Sequence, residues 1–356
     1  MSIAYVGCRT TKERNARGKG ISVYKINDAT GEWKLFQTAE SKDNPSWLGF
    51  DHTGEYLYTV HGDFYEVSSY KVDKTGKLSY MGTSASGGKN PVFLMPDKTN
   101  RFVYVATLQG GAVSVLERKE DGSLSDPVFQ AHLEGLTKEG LSHAHQCQLD
   151  RTGNWLLVPT QGRKKGYGAV FVFKTFEDGS LKQVQRFDIG DDQEPRHLVC
   201  SIDNKTVYVL NEKGSTISVL KFDDKEGKLE SVGMVSTLPG DYKGESQAGE
   251  ILIQPDGKYI YATNRTHDSI CVFAIRQDGM PEPIQWISSR GKIPRFMGMG
   301  WNGTKLFAAN EETDTIEIFN IARESGKLSW SGVSVATGSP VCVVIKDTRL
   351  NSYKES

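Results

Sequence analysis

The chain has 356 residues, of which 37% are hydrophobic, 10% aromatic and 24% charged, a composition that excludes general disorder and supplies enough apolar material for a packed core. A formal net charge of -1 offers no basic face to nucleic acid or to an anionic membrane surface, so neither is expected as a partner. Length alone admits several average domains or one large all-β unit, and the choice falls to the sequence pattern.

The opening run Met1-Ser2-Ile3-Ala4-Tyr5-Val6-Gly7 lacks the basic flank and long apolar stretch of a secretory signal, and no later segment is apolar enough to span a bilayer. A cytoplasmic protein is the expectation. Cys8, Cys147, Cys200, Cys271 and Cys342 are odd in number, widely spread and without a CxxC pair, so they predict buried small hydrophobes, with neither a disulfide framework nor a zinc site.

A repeat runs along the whole chain. Gly31-Glu32-Trp33, Gly76-Lys77-Leu78, Gly122-Ser123-Leu124, Gly179-Ser180-Leu181, Gly227-Lys228-Leu229, Gly279-Met280-Pro281 and Gly326-Lys327-Leu328 are copies of one Gly-x-Leu turn, recurring about every fifty residues. Each follows an alternating apolar run such as Ile217-Ser218-Val219-Leu220 and precedes a short one, which is strand periodicity. Upstream in each unit, an apolar strand, an Asp-x-x-Gly or Pro-Asp-Gly turn and an aromatic, β-branched strand predict a hairpin. Leu48-Gly49-Phe50, the turn beginning at Asp51 and Tyr56-Leu57-Tyr58-Thr59-Val60 form one such unit. Four strands per unit, seven units and no convincing helix predict an all-β, seven-bladed β-propeller of four-stranded antiparallel blades spanning residues 1–356 as one domain. Val341 to Ile345 repeat the start of a blade without a downstream hairpin partner. Ile3 to Val6 supply that partner, so pairing of the N- and C-terminal strands is expected to close the ring.

In a hairpin, the residue entering the first strand and the residue leaving the second lie at the same end. One mouth of the channel therefore collects Asn44-Pro45, Asn90-Pro91, His143-Ala144-His145-Gln146, Glu194-Pro195-Arg196-His197, Ala248-Gly249-Glu250, Ile293-Pro294-Arg295 and Ser339-Pro340. It also collects His61, Thr107, Gln161, Asn211-Glu212, Asn264-Arg265 and Asn310-Glu311. So many polar residues converging on one mouth point to a ligand.

Glu194-Pro195-Arg196-His197, Leu210-Asn211-Glu212, the run from Thr263 to Ser269 and Gly87-Gly88-Lys89-Asn90-Pro91 resemble the motifs of the propeller lactonase family, which includes 6-phosphogluconolactonases of propeller type and 3-carboxymuconate-lactonizing enzymes. The resemblance covers all seven units. It implies a functional cluster of His145, Arg196, Glu212 and Arg265; Asn44, His61, Asn90, Gln161 and Arg295, at the same mouth, are the expected substrate-binding residues around it. The chain departs from the family at His61, where a glutamate is usual, and at residues 161–166, a basic loop where an acidic one is usual; both leave the substrate open.

Lactone opening needs a proton carrier and a stabiliser for the developing oxyanion, roles suited to His145 with Glu212 and to the two arginines respectively. The implied substrate is a small anionic lactone. Lactonization of an unsaturated diacid and a non-catalytic binding platform are the alternatives. His52, His143, His197 and His267 are expected to be core histidines, and Glu250 to pair with an arginine. Two arginines in the cluster would repel a divalent cation, so neither metal nor other cofactor is expected, and the molecule is expected to be a monomer or small homo-oligomer.

Overall fold

Alternating apolar residues form strands that can bury both faces only when sheets stack against one another, and this chain solves the problem radially. The computed structural model describes residues 2–346, which form seven four-stranded antiparallel blades; the fourth has its innermost strand in two pieces. The expected ring closure is observed. The first blade takes Pro340–Lys346 as its innermost strand, paired antiparallel with Ser2–Cys8 and followed by Ile21–Ile26 and Trp33–Ala39. Innermost strands of the next six blades are Pro45–Phe50, Pro91–Pro96, the split pair His143–Ala144 and Gln148–Leu149, Pro195–Cys200, Gln247–Ile253 and Pro294–Gly300. The helical residues are two single 3-10 turns, Lys12–Arg14 and Trp301–Gly303, and no helix among the described residues is long and apolar enough to cross a membrane.

Second strands are the most deeply buried, along their full length in Tyr56–His61, Phe102–Thr107 and Trp155–Gln161. Fourth strands form the rim and are mostly exposed or half-buried, as in Leu78–Ala85, where only Leu78 is buried. The core is a set of inter-blade layers. Leu157, Val170 and Val172 of the fourth blade, for example, meet Leu198, Val207 and Val209 of the fifth. Each such side chain contributes about 1.5–3 kcal/mol by leaving water.

The glycine of the repeated turn has two physical duties. All seven copies, Gly31, Gly76, Gly122, Gly179, Gly227, Gly279 and Gly326, have φ between 64° and 85°, a conformation that side chains with a Cβ resist. Several also receive the neighbouring blade. A Cβ on Gly227 would enter the ring of Trp155, and one on Gly122 the ring of Tyr56. Tyrosine hydroxyls add a hydrogen bond at the same joint: Tyr5 donates to the Gly76 carbonyl at 2.8 Å, and Tyr58, Tyr208 and Tyr261 donate to Gly122, Gly279 and Gly326, each at 2.9 Å. The residue that bends each blade thus also docks the blade before it.

This double duty is measurable. Gly227→Ala is expected to destabilise by about 2 to 5 kcal/mol, combining left-handed strain with overpacking against Trp155. Gly332, with φ 85° and nothing within 4 Å of an added Cβ, isolates the strain alone, so Gly332→Ala should cost about 1 to 2 kcal/mol. Thermal melts of the two variants compare the effects directly; equal losses would remove the inter-blade ring contact from the account.

Candidate active site

Five innermost strands begin with a proline, which has no N–H to give to the ladder. The residue before it, Asn44, Asn90, Glu194, Ile293 or Ser339, has φ between 43° and 58°. Immediately after the proline the pairing register shifts by one. Pro195 pairs with Asn211 but His197 with Leu210, which leaves Arg196 without a cross-strand partner. The same shift isolates Ser46, Val92, Arg295 and Val341. In the sixth blade it falls between Ala248 and Ile251, around Gly249 and Glu250, and in the fourth the strand breaks between Ala144 and Gln148, around His145. A bulge re-aims the side chain of its extra residue. Here Ser46, Val92, His145, Arg196, Glu250, Arg295 and Val341 all line one axial cavity of about 20 Å³, together with Arg9, Trp47, His197 and Phe296.

Buried arginines dominate the electrostatics. Oε2 of Glu212 lies 3.0 Å from Nε of Arg196 and 3.0 Å from Nη2 of Arg265. Arg265 Nη2 donates to the Ala248 carbonyl at 2.9 Å, and Arg196 Nη1 donates to the Gly249 carbonyl. Burial alone would raise the Glu212 carboxyl, but Arg265, Arg196 and Arg295 outweigh it and bring its pKa down to about 2. Burial and the adjacent charge of Arg265 lower Arg196 to about 9; burial and Arg295 lower Arg9 to about 10. His145 lies well below the ordinary imidazole value because it is buried and faces Arg196, His197 and Arg295, so it is neutral at pH 7. His197 is also lowered by burial, against the pull of Glu250, whose Oε1 stands 2.5 Å from its Nδ1. The two imidazole rings lie edge to face, with centroids 5.1 Å apart.

Of the residues singled out in the sequence, His145, Arg196 and Arg295 line the cavity. Glu212 and Arg265 stand directly behind Arg196 and reach the cavity through it. Glu212 is not the partner of His145. Its carboxylate is held by arginines, and the carboxylate that does meet a histidine is Glu250, on His197.

The remaining substrate-binding candidates have internal partners and do not line the cavity. Asn44 accepts from the Thr10 N–H at 2.8 Å and donates to the Gly62 carbonyl at 3.2 Å. His61 contacts the Asp43 carbonyl at 2.8 Å and Ser68 Oγ at 2.7 Å. Asn90 accepts from the Asp63 N–H at 2.7 Å, and Gln161 accepts from Arg163 Nε at 2.9 Å. The entrance and exit of a strand mark the right mouth, but side chains at those positions bond within the loops, and it is the bulged residue that faces the axis. His143, His52 and His267 also have internal partners, at Leu108, Asp97 and Ser269.

Arg9, Ser46 and Trp47 belong to the cavity and were not assigned to it from sequence; His197 and Glu250, placed at this mouth but expected to be a core histidine and an arginine partner, pair with each other in it. For Arg9 a signal exists. Its N–H bonds the Ser339 carbonyl at 3.0 Å, as the Glu212 N–H bonds Glu194 at 2.8 Å, so it is the exit residue of the blade whose innermost strand comes from the other end of the chain.

Six buried polar atoms at this cavity have no hydrogen-bond partner: Arg9 Nε and Nη1, Ser46 Oγ, His145 Nδ1, Glu250 Oε2 and Arg196 Nε, the last of them ion-paired with Glu212. Each such atom costs about 1–3 kcal/mol when left unpaired, so their gathering at one cavity marks a place built for polar ligand atoms. Among the described residues, no group of three or more His, Cys, Asp and Glu is arranged to hold a metal ion.

The Glu212 cluster predicts a pH-dependent contribution to stability. A carboxyl whose folded pKa is depressed stabilises above its ordinary value of 4.5, and the contribution is lost as pH falls toward about 2. The melting-temperature gap between wild type and Glu212→Gln should therefore be full above pH 4.5 and close progressively toward pH 2. A gap independent of pH would contradict the ion-pair account.

The family model "Lactonase, 7-bladed beta-propeller" matches residues 3–345. A Bacillus subtilis protein named 6-phosphogluconolactonase is 27% identical over 348 residues, covering 96% of this chain and 97% of its own length. A Klebsiella pneumoniae protein of the same name is 27% identical over 340 residues, covering 95% and 98%. Among solved structures, a protein from Lactobacillus plantarum superposes with a TM-score of 0.88 at 26% identity, covering 98% of this chain and 100% of that one. The Pseudomonas aeruginosa periplasmic gluconolactonase PpgL gives 0.87 at 23% identity, covering 97% and 99%, a likeness of fold. With seven closed blades, a buried arginine-rich cavity on their axis and a family match over almost its whole length, the chain belongs to the seven-bladed β-propeller lactonase family and is a lactone-hydrolysing enzyme.

Proposed function

We propose that the axial cavity hydrolyses a small anionic sugar-acid lactone, with a phosphorylated gluconolactone as the first candidate. The B. subtilis and K. pneumoniae relatives named 6-phosphogluconolactonase support that choice of substrate. The observation carrying the reading is that the unpartnered, buried Nδ1 of His145 belongs to the same small cavity as Arg196. A cavity of about 20 Å³ takes single oxygen atoms and not a ring, so only the substrate's oxygens enter it while the body of the substrate lies toward the mouth.

In this mechanism water attacks the lactone carbonyl carbon and its proton passes to neutral His145. The oxyanion that develops is stabilised by Arg196, whose guanidinium is fixed in place by Glu212 and the Gly249 carbonyl. Collapse of the tetrahedral species breaks the ring C–O bond, and the imidazolium returns its proton to the leaving alkoxide, giving the hydroxy acid. A histidine with a lowered pKa is a strong acid once charged, which suits the second step. Glu212, ionised throughout, holds Arg196 and Arg265 side by side, where like charges would otherwise separate them. The five buried, unpaired thiols support work in a reducing compartment, the cytoplasm.

His145→Ala should lower kcat/KM by about 100- to 10,000-fold without a matching fall in melting temperature. Turnover close to wild type would remove the histidine from the mechanism. The pH profile gives an independent check. Because burial and the arginines depress His145, the wild-type rate should persist below pH 6.5. An acidic limb centred at 6.5 would assign the proton transfer to an unperturbed histidine instead.

A further inference from the structure

Four guanidinium groups surround the cavity, and they are unequally neutralised. Arg196 and Arg265 share Glu212 at 3.0 Å, and Arg295 faces Glu311 at 3.7 Å. Arg9 has no carboxylate to itself: Glu311 and Asp63 both act on it, but Glu311 also faces Arg295 and Asp63 also faces Arg14. Arg9 Nη1 is 3.8 Å from Asp63 Oδ2, beyond hydrogen-bond distance, while Asp63 is engaged by Arg14, whose Nε donates at 2.8 Å, and by Asn44 Nδ2 at 3.1 Å. The Arg9 side chain is only 4% exposed, and both Nε and Nη1 lack a hydrogen-bond partner.

Ser46 Oγ, buried and likewise unpartnered, adjoins it. A Cβ placed on Gly62 would collide with Arg9 Nη1 and lie 2.8 Å from Ser46 Oγ, so the two polar groups converge where glycine leaves room. Arg295 is close enough to lower the Arg9 pKa and lines the same cavity. Arg9 and Ser46 belong to the first and second blades, whereas His145 and Arg196 belong to the fourth and fifth, across the ring.

We infer that Arg9, Ser46 and Arg295 form an oxyanion subsite that holds the permanent anionic group of the substrate across the channel from the reacting carbonyl. The inference rests on the hydrolase reading and extends it: the enzyme selects lactones by a charge that takes no part in bond breaking. A buried guanidinium with two unsatisfied N–H groups is costly, and an anionic oxygen accepting from Nη1 beside Ser46 Oγ relieves that cost, whereas a neutral hydroxyl does so only in part. Phosphate and carboxylate share the required oxygen chemistry.

The test titrates the intact protein with inorganic phosphate and, separately, with acetate by calorimetry, and compares kcat/KM for 6-phosphogluconolactone and unphosphorylated gluconolactone. Wild type should bind one of the two anions at a single site, the stronger identifying the group recognised. Arg9→Gln should weaken that binding, and reduce the preference for the charged lactone, by about 10- to 100-fold. Gly62→Ala keeps every charge but displaces the Arg9 guanidinium, and should weaken anion binding in the same direction; it decides the matter if Arg9→Gln proves unfolded in a thermal melt. Wild type that binds neither anion, or anion binding and lactone preference indifferent to both substitutions, overturns the subsite. Protein that binds an anion through Arg9 yet opens neither lactone keeps the subsite and retires the sugar-acid lactone as the substrate.

Discussion

A strand on the inside of a ring of blades must pair along one edge and also present a side chain to the axis, and an unbroken antiparallel register spaces those demands two residues apart. The single extra residue at the head of each innermost strand resolves the conflict. Ser46, Val92, Arg196, Arg295 and Val341 follow a proline that cannot donate to the ladder, and Glu250 and His145 lie where pairing slips or stops. Residues before the prolines take a left-handed conformation at five blades, including Glu194 and Ile293, which have no intrinsic preference for it. The strain is maintained by the blades on either side, and its product is one small cavity lined from all seven directions.

Chemistry follows from how charge is distributed within that cavity. Burial depresses Arg9, Arg196 and Arg265, and the arginines in turn keep Glu212 ionised and His145 neutral. These shifts are mutually dependent: removing Glu212 would leave Arg196 and Arg265 facing each other without a counter-ion in a medium of low dielectric. His197 is confined by Trp47, by His145 and by Glu250, so the imidazole beside the reactive one has a fixed orientation. A preorganised set of donors of this kind stabilises developing negative charge without reorganising during the reaction.

The rest of the molecule keeps these few residues in register. Turn glycines with positive φ seat the aromatic rings of the preceding blade, tyrosine hydroxyls lock the same joints, and the two chain ends zip together in the first blade. Opening the ring would free the strand that carries Val341 and separate it from Arg9 at the tip of its partner strand, so closure is a condition for the site as well as for the core.

Local pattern was sufficient for much of this. Turn glycines at a fixed period, hairpins with strand alternation and an unpartnered final strand determine seven blades and their closure, because these are properties of neighbouring residues. The placement of His145, Arg196 and Arg295 at one mouth follows equally from hairpin geometry. Partnership across blades is a different matter. Glu212 goes to two arginines instead of His145, and Glu250 goes to His197, because bulges in separate strands rotate these side chains toward one another over distances that no local pattern encodes. Asn44, His61, Asn90 and Gln161 share the entrance and exit positions, yet they satisfy loop backbone and neighbouring side chains, since none of them is a bulged residue of an innermost strand. Arg9 joined the site only when residues from opposite ends of the chain met in one blade, where burial and carboxylates shared with other arginines, both products of tertiary packing, gave it its character.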